Sequence, residues 1–162
     1  MGKSKRDGGQ RYRNLAVHRQ ARRDFEIIET YEAGIALEGT EVKSCREGRI
    51  QIKDAYARVK DGEVWLHDCH IAPYSHATHS NHEPERVRKL LLHRHEIARL
   101  LGKTERSGFT LIPLRFYIEG SWIKVEIALA RGRAKHEKRD AIKKKIQERE
   151  IQQAMRARGG GR

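Results

Sequence analysis

The chain of 162 residues carries 35 Lys or Arg against 22 Asp or Glu, a formal net charge of +13, and 37% of its residues are hydrophobic. No apolar run approaches the ~18 residues that cross a bilayer, and the N-terminus lacks the apolar stretch of a signal peptide, so we expect a soluble, cytoplasmic protein without a membrane span. Cys45 and Cys69 have no CxxC partner, which argues against a disulfide framework.

The N-terminal segment is basic and poor in apolar residues. Residues 1–23 hold eight Lys or Arg against one Asp, and residues 1–14 have too little apolar content to become ordered alone. We therefore predict a flexible arm over 1–14, a folded body over 15–131 and a basic tail over 132–162.

The body opens with an alternating pattern. From residue 25 to residue 37 the odd positions are apolar, apart from Glu29, which predicts a long, half-buried strand. Thr40 can cap a short helix that runs to Arg46, and Gly48 would end it.

A hairpin and a helix are predicted next. Residues 50–59 and 64–71 read as strands, and Asp61-Gly62 between them is typical of a tight two-residue turn. Residues 85–101 follow Pro84 and predict a helix, since apolar residues recur at helical spacing at Val87, Leu90, Leu91, Ile97, Ala98 and Leu101.

Alternation then returns in two strands joined by a Gly-containing turn. The first would place four apolar residues on one face and the second four more, with Lys124 and Glu126 pointing outward: Ile112, Leu114, Phe116, Ile118, Ile123, Val125, Ile127 and Leu129. Five or six antiparallel strands with packed helices favour a mainly β fold, a small OB-like β-barrel, because closure removes exposed edges. A β-sandwich is the alternative.

The tail has the composition of a helix without a buried face. Residues 131–162 hold twelve Lys or Arg against four acids. At ~100° per residue, Ile142 and Ile146 lie on one side of a helix, whereas Ile151 and Met155 lie on the other. We predict a tail that is disordered alone and helical inside a partner that surrounds it.

A histidine-rich stretch raises the possibility of a metal site. It contains Cys69 and Glu96 together with His67, His70, His76, His79, His82, His93 and His95. No HExxH or paired CxxC fixes a ligand set, and on a helix His93 and His95 would point apart. There is also no GxSxG or phosphate-binding loop. We therefore predict no enzyme, metal or cofactor, and a metal hydrolase is a distant alternative.

The charge distribution favours RNA as the partner. The middle of the chain, residues 24–130, holds 15 basic against 17 acidic residues, so the positive charge lies at the two ends. Such runs are either solvated or bind phosphates without sequence preference. Specificity could come from aromatic stacking, although several of the aromatic residues fit a core equally well: Tyr12, Tyr56, Trp65, Tyr74 and Trp122.

Several phrases carry a resemblance over residues 14–140. Tyr31 to Gly48 (YEAGIALEGTEVKSCREG), Arg86 to Ile97 (RVRKLLLHRHEI), Leu111 to Tyr117 (LIPLRFY) and Lys124 to Gly132 (KVEIALARG) resemble the SsrA-binding proteins, a family also called small protein B. The resemblance implies an OB-like barrel that binds the tRNA-like domain of transfer-messenger RNA and delivers it to stalled ribosomes for trans-translation.

The partners and site residues implied by the resemblance follow from the same phrases. The partners are transfer-messenger RNA, small-subunit ribosomal RNA and, through the RNA, elongation factor Tu, with the protein a monomer. The implied contacts to transfer-messenger RNA are His18, Arg19, Arg22, Glu32, Lys43, Leu91, His93 and Lys124. The family usually has Asn where this chain has His18. Leu91 also fits the predicted helix stripe, so its expected role is mainly packing, and an ion pair with a nearby Lys is the alternative for Glu32.

The tail resembles the family's basic phrase, with Glu137 in place of Asp. The resemblance implies that it enters the empty mRNA channel beyond the decoding centre through Gly132, Lys135, His136, Glu137, Lys138, Arg139, Lys143, Lys144 and Arg149. The competing interpretation of the whole chain is a general OB-type RNA-binding or ribosome-assembly factor.

Overall fold

The computed structural model describes residues 12–78, 80–106, 108–133 and 135–159, without the side chains of 135–138. The predicted arm up to residue 11 and the predicted position of His79 lie outside these ranges. The helices are α1 (Ala21–Asp24), α2 (Gly39–Arg46), α3 (Arg94–Thr104) and α4 (Lys135–Gly159). The strands are β1 (Tyr12–Val17), β2 (Phe25–Ile35), β3 (Ile50–Gln51), β4 (Tyr56–Lys60), β5 (Glu63–His67), β6 (His70–Ile71), β7 (Arg88–Leu91), β8 (Phe109–Glu119) and β9 (Trp122–Gly132).

The strands form an antiparallel barrel. In the described part of the chain, one sheet has the order β1-β8-β4-β5-β7-β2-β9, and pairing of β8 with β9 closes it, while β3 and β6 form a separate short ribbon. The interior is filled by fully buried side chains such as Val64, Leu66, Leu111, Phe116 and Ile127. The predicted small antiparallel barrel with packed helices is confirmed. Among the described residues, no helix has both the length and the apolar content to cross a membrane.

Two β-bulges divide the apolar residues between two sides of the sheet. The register with β9 shifts between Ile27 and Glu29 in β2, and between Pro113 and Arg115 in β8. One inserted residue moves all later side chains of a strand to the opposite face. A second apolar cluster therefore lies outside the barrel, beside α1, and is formed by Ala21, Ile112, Leu114, Ala128 and Ala130 with Phe25 and Ile27.

The bulge in β8 makes one sequence prediction wrong. Ile112 and Leu114 belong to the outer cluster, whereas Phe116 lies in the barrel interior, so the apolar residues of this strand do not share one face. In β2, Glu29 follows the bulge and lies on the inner side with Tyr31 and Ala33. There it pairs with Lys103 and Arg99 of α3, and hydrogen bonds from Lys103 and Tyr31 lower its pKa to about 2.

The first half of the predicted helix over 85–101 is a strand. Arg88 and Leu90 are buried, whereas Val87 and Leu91 are 42% and 52% exposed, which is the period of β7 and not a helical stripe. The helix α3 begins at Arg94, after the N-cap residue His93.

Smaller corrections concern the other predicted elements. The predicted strands over 50–59 and 64–71 are each divided into two, the second at Asp68, whose φ is +54°. The turn between them is as predicted, since Asp61 and Gly62 both have positive φ, 53° and 74°.

Two polar residues near the predicted helix termini also differ in role. Glu38, not Thr40, is the N-cap residue of α2, in a capping box with Glu41. Tyr12–Asn14, assigned by sequence to the flexible arm, pair with β8 as part of β1.

The tail forms the helix α4, whose apolar residues remain in solvent. Ile142, Ile146, Ile151 and Met155 are 38–68% exposed, in keeping with the absence of a single apolar stripe. Most helical stability in proteins comes from packing of an apolar face. Because the four apolar residues are exposed, we keep as a prediction that this segment is disordered in isolation.

A buried ion pair joins α2 to β7. The side chains of Glu41 and Arg88 are both fully buried and bonded to each other, and Arg88 also donates to the carbonyl oxygens of Cys69 (2.7 Å) and Pro84 (3.0 Å). Burial opposes ionisation of Glu41, but hydrogen bonds from the Glu38 N–H, Arg86 and Arg88 lower its pKa overall. The carboxylate is therefore charged, and its partners compensate for its burial.

Replacing Glu41 should unfold the protein more readily than replacing an exposed carboxylate. Glu41→Gln leaves the Arg88 charge buried and unpaired, a loss of roughly 3–5 kcal/mol in the free energy of unfolding. Glu26→Gln is the matched control, because Glu26 pairs with the exposed Arg131, and it should cost at most ~1 kcal/mol. Urea denaturation measures both.

The same pair predicts an acid dependence of stability. Because the folded pKa of Glu41 lies below its unfolded value of about 4.3, its contribution is complete above that pH and is lost as pH falls through the folded pKa. The difference between the wild type and Glu41→Gln should therefore shrink below about pH 4. Equal stability of the two variants at pH 7 would contradict the assigned role.

Candidate nucleic-acid interface

The outer face of the barrel presents a row of residues from five strands. Asn14 of β1 pairs with Tyr117 of β8, Tyr117 with Lys124 of β9, Lys124 with Gly34 of β2, and Gly34 with Leu91 of β7. Directly paired residues of antiparallel strands share a face. Lys124 and Leu91, which are distant in sequence, therefore flank the same glycine.

A second row runs beside the first. Arg115 pairs with Glu126, and Glu126 with Glu32. The Arg115 Nε donates to Glu126 Oε2 at 2.6 Å, and its Nη1 donates to Asn14 Oδ1 at 3.0 Å. The guanidinium carbon of Arg115 also lies 4.3 Å from the centre of the Tyr117 ring. The two rows are thus connected by side chains as well as by backbone pairing, and we call them together the outer face.

Lys124 is the centre of the charge network on this face. Its Nζ lies 2.5 Å from Glu32 Oε1 and 2.8 Å from Glu119 Oε2. Hydrogen bonds to Glu119 and Glu32 raise the pKa of Lys124, and the bond from Lys124 lowers the pKa of Glu32. Glu32 faces outward as predicted, and the ion pair with a neighbouring lysine is present, while its side chain remains 54% exposed.

Leu91 covers the glycine at the middle of the first row. A Cβ at Gly34 would lie 3.3 Å from the Leu91 Cβ, so the leucine side chain leans over the glycine backbone. The expectation that Leu91 mainly packs in a helix stripe is wrong, because the residue belongs to β7 and is exposed. An exposed leucine over bare backbone offers an apolar surface to a ligand.

His93 lies exposed just beyond β7. It is the N-cap residue of α3, outside the helix, so its ring stacks on that of His95 at 5.6 Å between centres. The prediction that these two histidines point apart is therefore wrong.

The segment between β1 and α1 continues the outer face along β8. The His18 N–H donates to the Leu114 carbonyl at 2.8 Å, next to Arg115. Its ring is buried, and Nδ1 has no hydrogen-bond partner among the described residues. Arg19 is exposed in the same segment, and Arg22 is exposed in α1. Of these three predicted contacts, His18 thus adjoins the second row through its backbone.

The remaining predicted residues lie elsewhere. Lys43 is on α2, with its Nζ 5.2 Å from the Tyr74 ring, and no contact joins it to the outer face in the described part of the chain. Gly132 ends β9 opposite Phe25. In α4 the side chains of 135–138 lie outside the described set, which includes the predicted His136, and the exposed tail residues of the prediction are Arg139, Lys143, Lys144 and Arg149.

Sequence reasoning missed several members of the outer face. Arg115 and Tyr117 were not named, although an alternation that turns Phe116 and Ile118 inward already places both of them outward. Asn14 was assigned to the arm. The outward position of Glu126 was predicted, and it was the feature of the sequence from which the second row could have been inferred.

Two residues of the histidine-rich stretch, His82 and His67, make contacts within the fold. His82 is buried, its Nε2 donates to the Ile71 carbonyl at 2.9 Å, and its Nδ1 accepts from the Thr40 hydroxyl at 2.8 Å. His67 stacks on Tyr56 at 5.2 Å. Within the residues described, no three His, Cys, Asp or Glu side chains are grouped as metal ligands would be.

Comparison with known proteins identifies close relatives over nearly the whole chain. Residues 15–157 match the family model described as SmpB protein. The SsrA-binding protein of Syntrophobacter fumaroxidans is 51% identical over 98% of both chains. That of Gloeothece citriformis is 54% identical over 88% of this chain and 92% of its own.

A solved structure is similar as well. It is described as "tmRNA-SmpB: a journey to the center of the bacterial ribosome", is 48% identical in sequence, and superposes with a TM-score of 0.64 over 78% of this chain and 93% of its own.

Proposed function

The chain belongs to the SmpB family, and we propose that it is a non-enzymatic adaptor that binds the tRNA-like domain of transfer-messenger RNA and delivers it to stalled ribosomes for trans-translation. Its relatives are named for binding SsrA, and the similar solved structure is of tmRNA-SmpB. A general RNA-binding or ribosome-assembly role explains the charge but not this membership, and we do not favour it.

The observation that carries the proposal is the composition of the outer face. Glu32, Leu91 and Lys124 come from three separate strands, yet they lie in two adjoining rows of paired residues. The resemblance alone had assigned these residues to RNA binding, without any information about their proximity. Their juxtaposition provides one continuous surface for a folded RNA.

The chemistry of this surface suits a ribose and base edge. A carboxylate such as Glu32 cannot approach a phosphate, but it accepts hydrogen bonds from a base N–H or a 2′-hydroxyl. Lys124 is positioned to exchange one of its two carboxylates for an RNA acceptor. Leu91, which is exposed above Gly34, can pack on a sugar or base.

Two neighbouring segments extend the proposed contact. His18 is buried and would position this segment beside β8, while the exposed Arg19 and, in α1, Arg22 would supply phosphate contacts. His93 adds a donor beyond Leu91. Lys43, which lies apart on α2, is proposed as a phosphate contact.

The tail is proposed to enter the empty mRNA channel of the small subunit. In α4, Arg139, Lys143, Lys144 and Arg149 are exposed and distributed around the helix. A helix enclosed by ribosomal RNA needs cations on all sides, because phosphates approach it from every direction. The predicted residues Gly132 to Lys138 would place the start of this helix at the decoding centre.

The assembly we propose is cytoplasmic and contains one copy of the protein per RNA. Contact with elongation factor Tu is indirect, through the RNA. Competition in a gel shift tests the central step: the labelled tRNA-like domain should stay bound when bulk tRNA is present in large excess. Equal displacement by bulk tRNA would instead favour a general RNA-binding factor.

Neutralising Lys124 should weaken binding to the tRNA-like domain on the order of ten-fold, the size of one charged hydrogen bond. Lys124→Gln removes the positive charge and leaves Glu32 and Glu119 facing a polyanion without compensation. Adding Glu32→Gln should recover part of that loss, because it removes one of the two free charges.

Lys60→Gln is the matched control for this prediction, since Lys60 lies exposed in the hairpin between β4 and β5. It should leave the Kd unchanged. If Lys124→Gln and Lys60→Gln bind equally well, the outer face is not the interface.

Removal of the tail should separate RNA binding from ribosome rescue. A chain that ends after Arg133 keeps all of β9 and the bond from the Arg133 N–H to the Asp24 carbonyl (3.0 Å). We expect it to bind the tRNA-like domain within a few-fold of the full chain, roughly the contribution of one or two phosphate contacts, but not to support tagging on stalled ribosomes. Tagging by the truncated protein would refute the channel role.

A further inference from the structure

Trp122 stands at the edge of the outer face with most of its ring in solvent. It begins β9 directly after the Gly120 turn and pairs with Glu119 of β8. Its side chain is 73% exposed, more than any other large hydrophobic residue that the structure describes. Tryptophan is usually well buried because its ring removes a large apolar area from water. A ring left out of the core at a binding face is therefore available to a ligand.

A second exposed aromatic residue lies on the other side of Glu119. Tyr12 pairs with Glu119 from β1 and is 54% exposed. Its hydroxyl donates to Glu119 Oε1 at 3.2 Å, and its ring lies 5.8 Å from that of Tyr117. With strands about 4.8 Å apart, the two exposed rings project from backbones roughly 10 Å apart. Glu119 lies between the two exposed rings and accepts hydrogen bonds from the Tyr12 hydroxyl and from Lys124.

The charges around these rings favour a base over a phosphate. Each cation of the outer face is already paired: Lys124 with Glu32 and Glu119, and Arg115 with Glu126. A phosphate that approached this surface would therefore face three carboxylates and two cations, which is an unfavourable charge balance. Aromatic rings, in contrast, stack on any nucleobase, and carboxylates accept from base N–H groups.

We propose that Trp122 stacks on an unpaired base of the bound RNA and that Tyr12 contacts the same nucleotide or its neighbour from across Glu119. The inference rests on the proposed function and deepens it, because it assigns a base-stacking role at the edge of the outer face. The ligand class is a single-stranded nucleotide that projects from a folded RNA. Trp122 contributes affinity without adding charge.

Fluorescence tests the proposal, because the chain has two tryptophans. In Trp65→Phe the emission comes from Trp122, and in Trp122→Phe it comes from Trp65, which lies half-buried in β5. The probe is the tRNA-like domain transcribed in vitro. Stacking should quench Trp122 and protect it from acrylamide, whereas Trp65 emission should change little.

Affinity provides the second readout. Trp122→Ala should raise the Kd for the tRNA-like domain between about 5- and 150-fold, the range of one stacked base. Trp122→Phe should retain most of the affinity, and Leu101→Ala, at an exposed position of α3, should retain all of it. The salt dependence of binding should be the same in all variants, since no charge is removed.

The outcomes separate this proposal from the function on which it rests. If the wild-type chain fails to bind the tRNA-like domain, the proposed function is wrong. If the wild type binds tightly, while Trp122→Ala binds equally well and Trp122 emission stays unquenched, the adaptor role stands and the stacking role is overturned. The thermal unfolding midpoint of Trp122→Ala should match that of the wild type, because the exposed Trp122 ring contributes little to the core.

Discussion

The buried pair of Glu41 and Arg88 determines where α2 and β7 sit on the barrel, and the outer face depends on that placement. β7 pairs with β2 at the Gly34 and Ile35 positions, so backbone pairing alone gives it little support on that side. The guanidinium adds directional bonds to Glu41 and to two loop carbonyls. Together with the pairing of β7 with β5 and the bond from the Ala36 N–H to the Lys89 carbonyl (3.0 Å), these bonds hold β7 where Leu91 lies over Gly34. A core ion pair thereby supports the arrangement of a surface residue.

The two bulges place different chemistry on one continuous sheet surface. Beyond them, towards Trp122, the outward residues of β8 and β9 are polar and form the paired rows of Arg115 and Lys124. On the other side of the bulges, the same outer side is apolar and is covered by α1 through Ala21. The apolar end secures the β1–α1 segment, which carries His18. A proposed RNA-binding segment is thus anchored by packing that a straight strand could not provide.

The sequence predicted what local patterns encode and failed where a distant partner decides. Alternation and the Asp61-Gly62 turn identified the barrel and its hairpin. The stretch around Arg88 satisfied helical spacing, and nothing local indicates that its charge is buried against Glu41, 47 residues away. For the proposed site, the resemblance supplied Glu32, Leu91 and Lys124, and alternation places Arg115 and Tyr117 outward. The outward position of Ile112 and Leu114 required the bulge, which leaves no clear trace in the order of residues.

In the complex that we propose, affinity and selectivity come from different parts of the molecule. The unbalanced positive charge lies in the residues before Asp24 and after Ala130, whereas the body carries 15 basic and 17 acidic residues. Counterion release therefore belongs to the ends and makes their contribution strongly dependent on salt. On the outer face each cation is neutralised by a carboxylate, so its contacts depend on hydrogen-bond geometry and stacking. In that proposed complex, a higher salt concentration would weaken the contacts of the ends first, and the outer face would then provide the discrimination between RNAs.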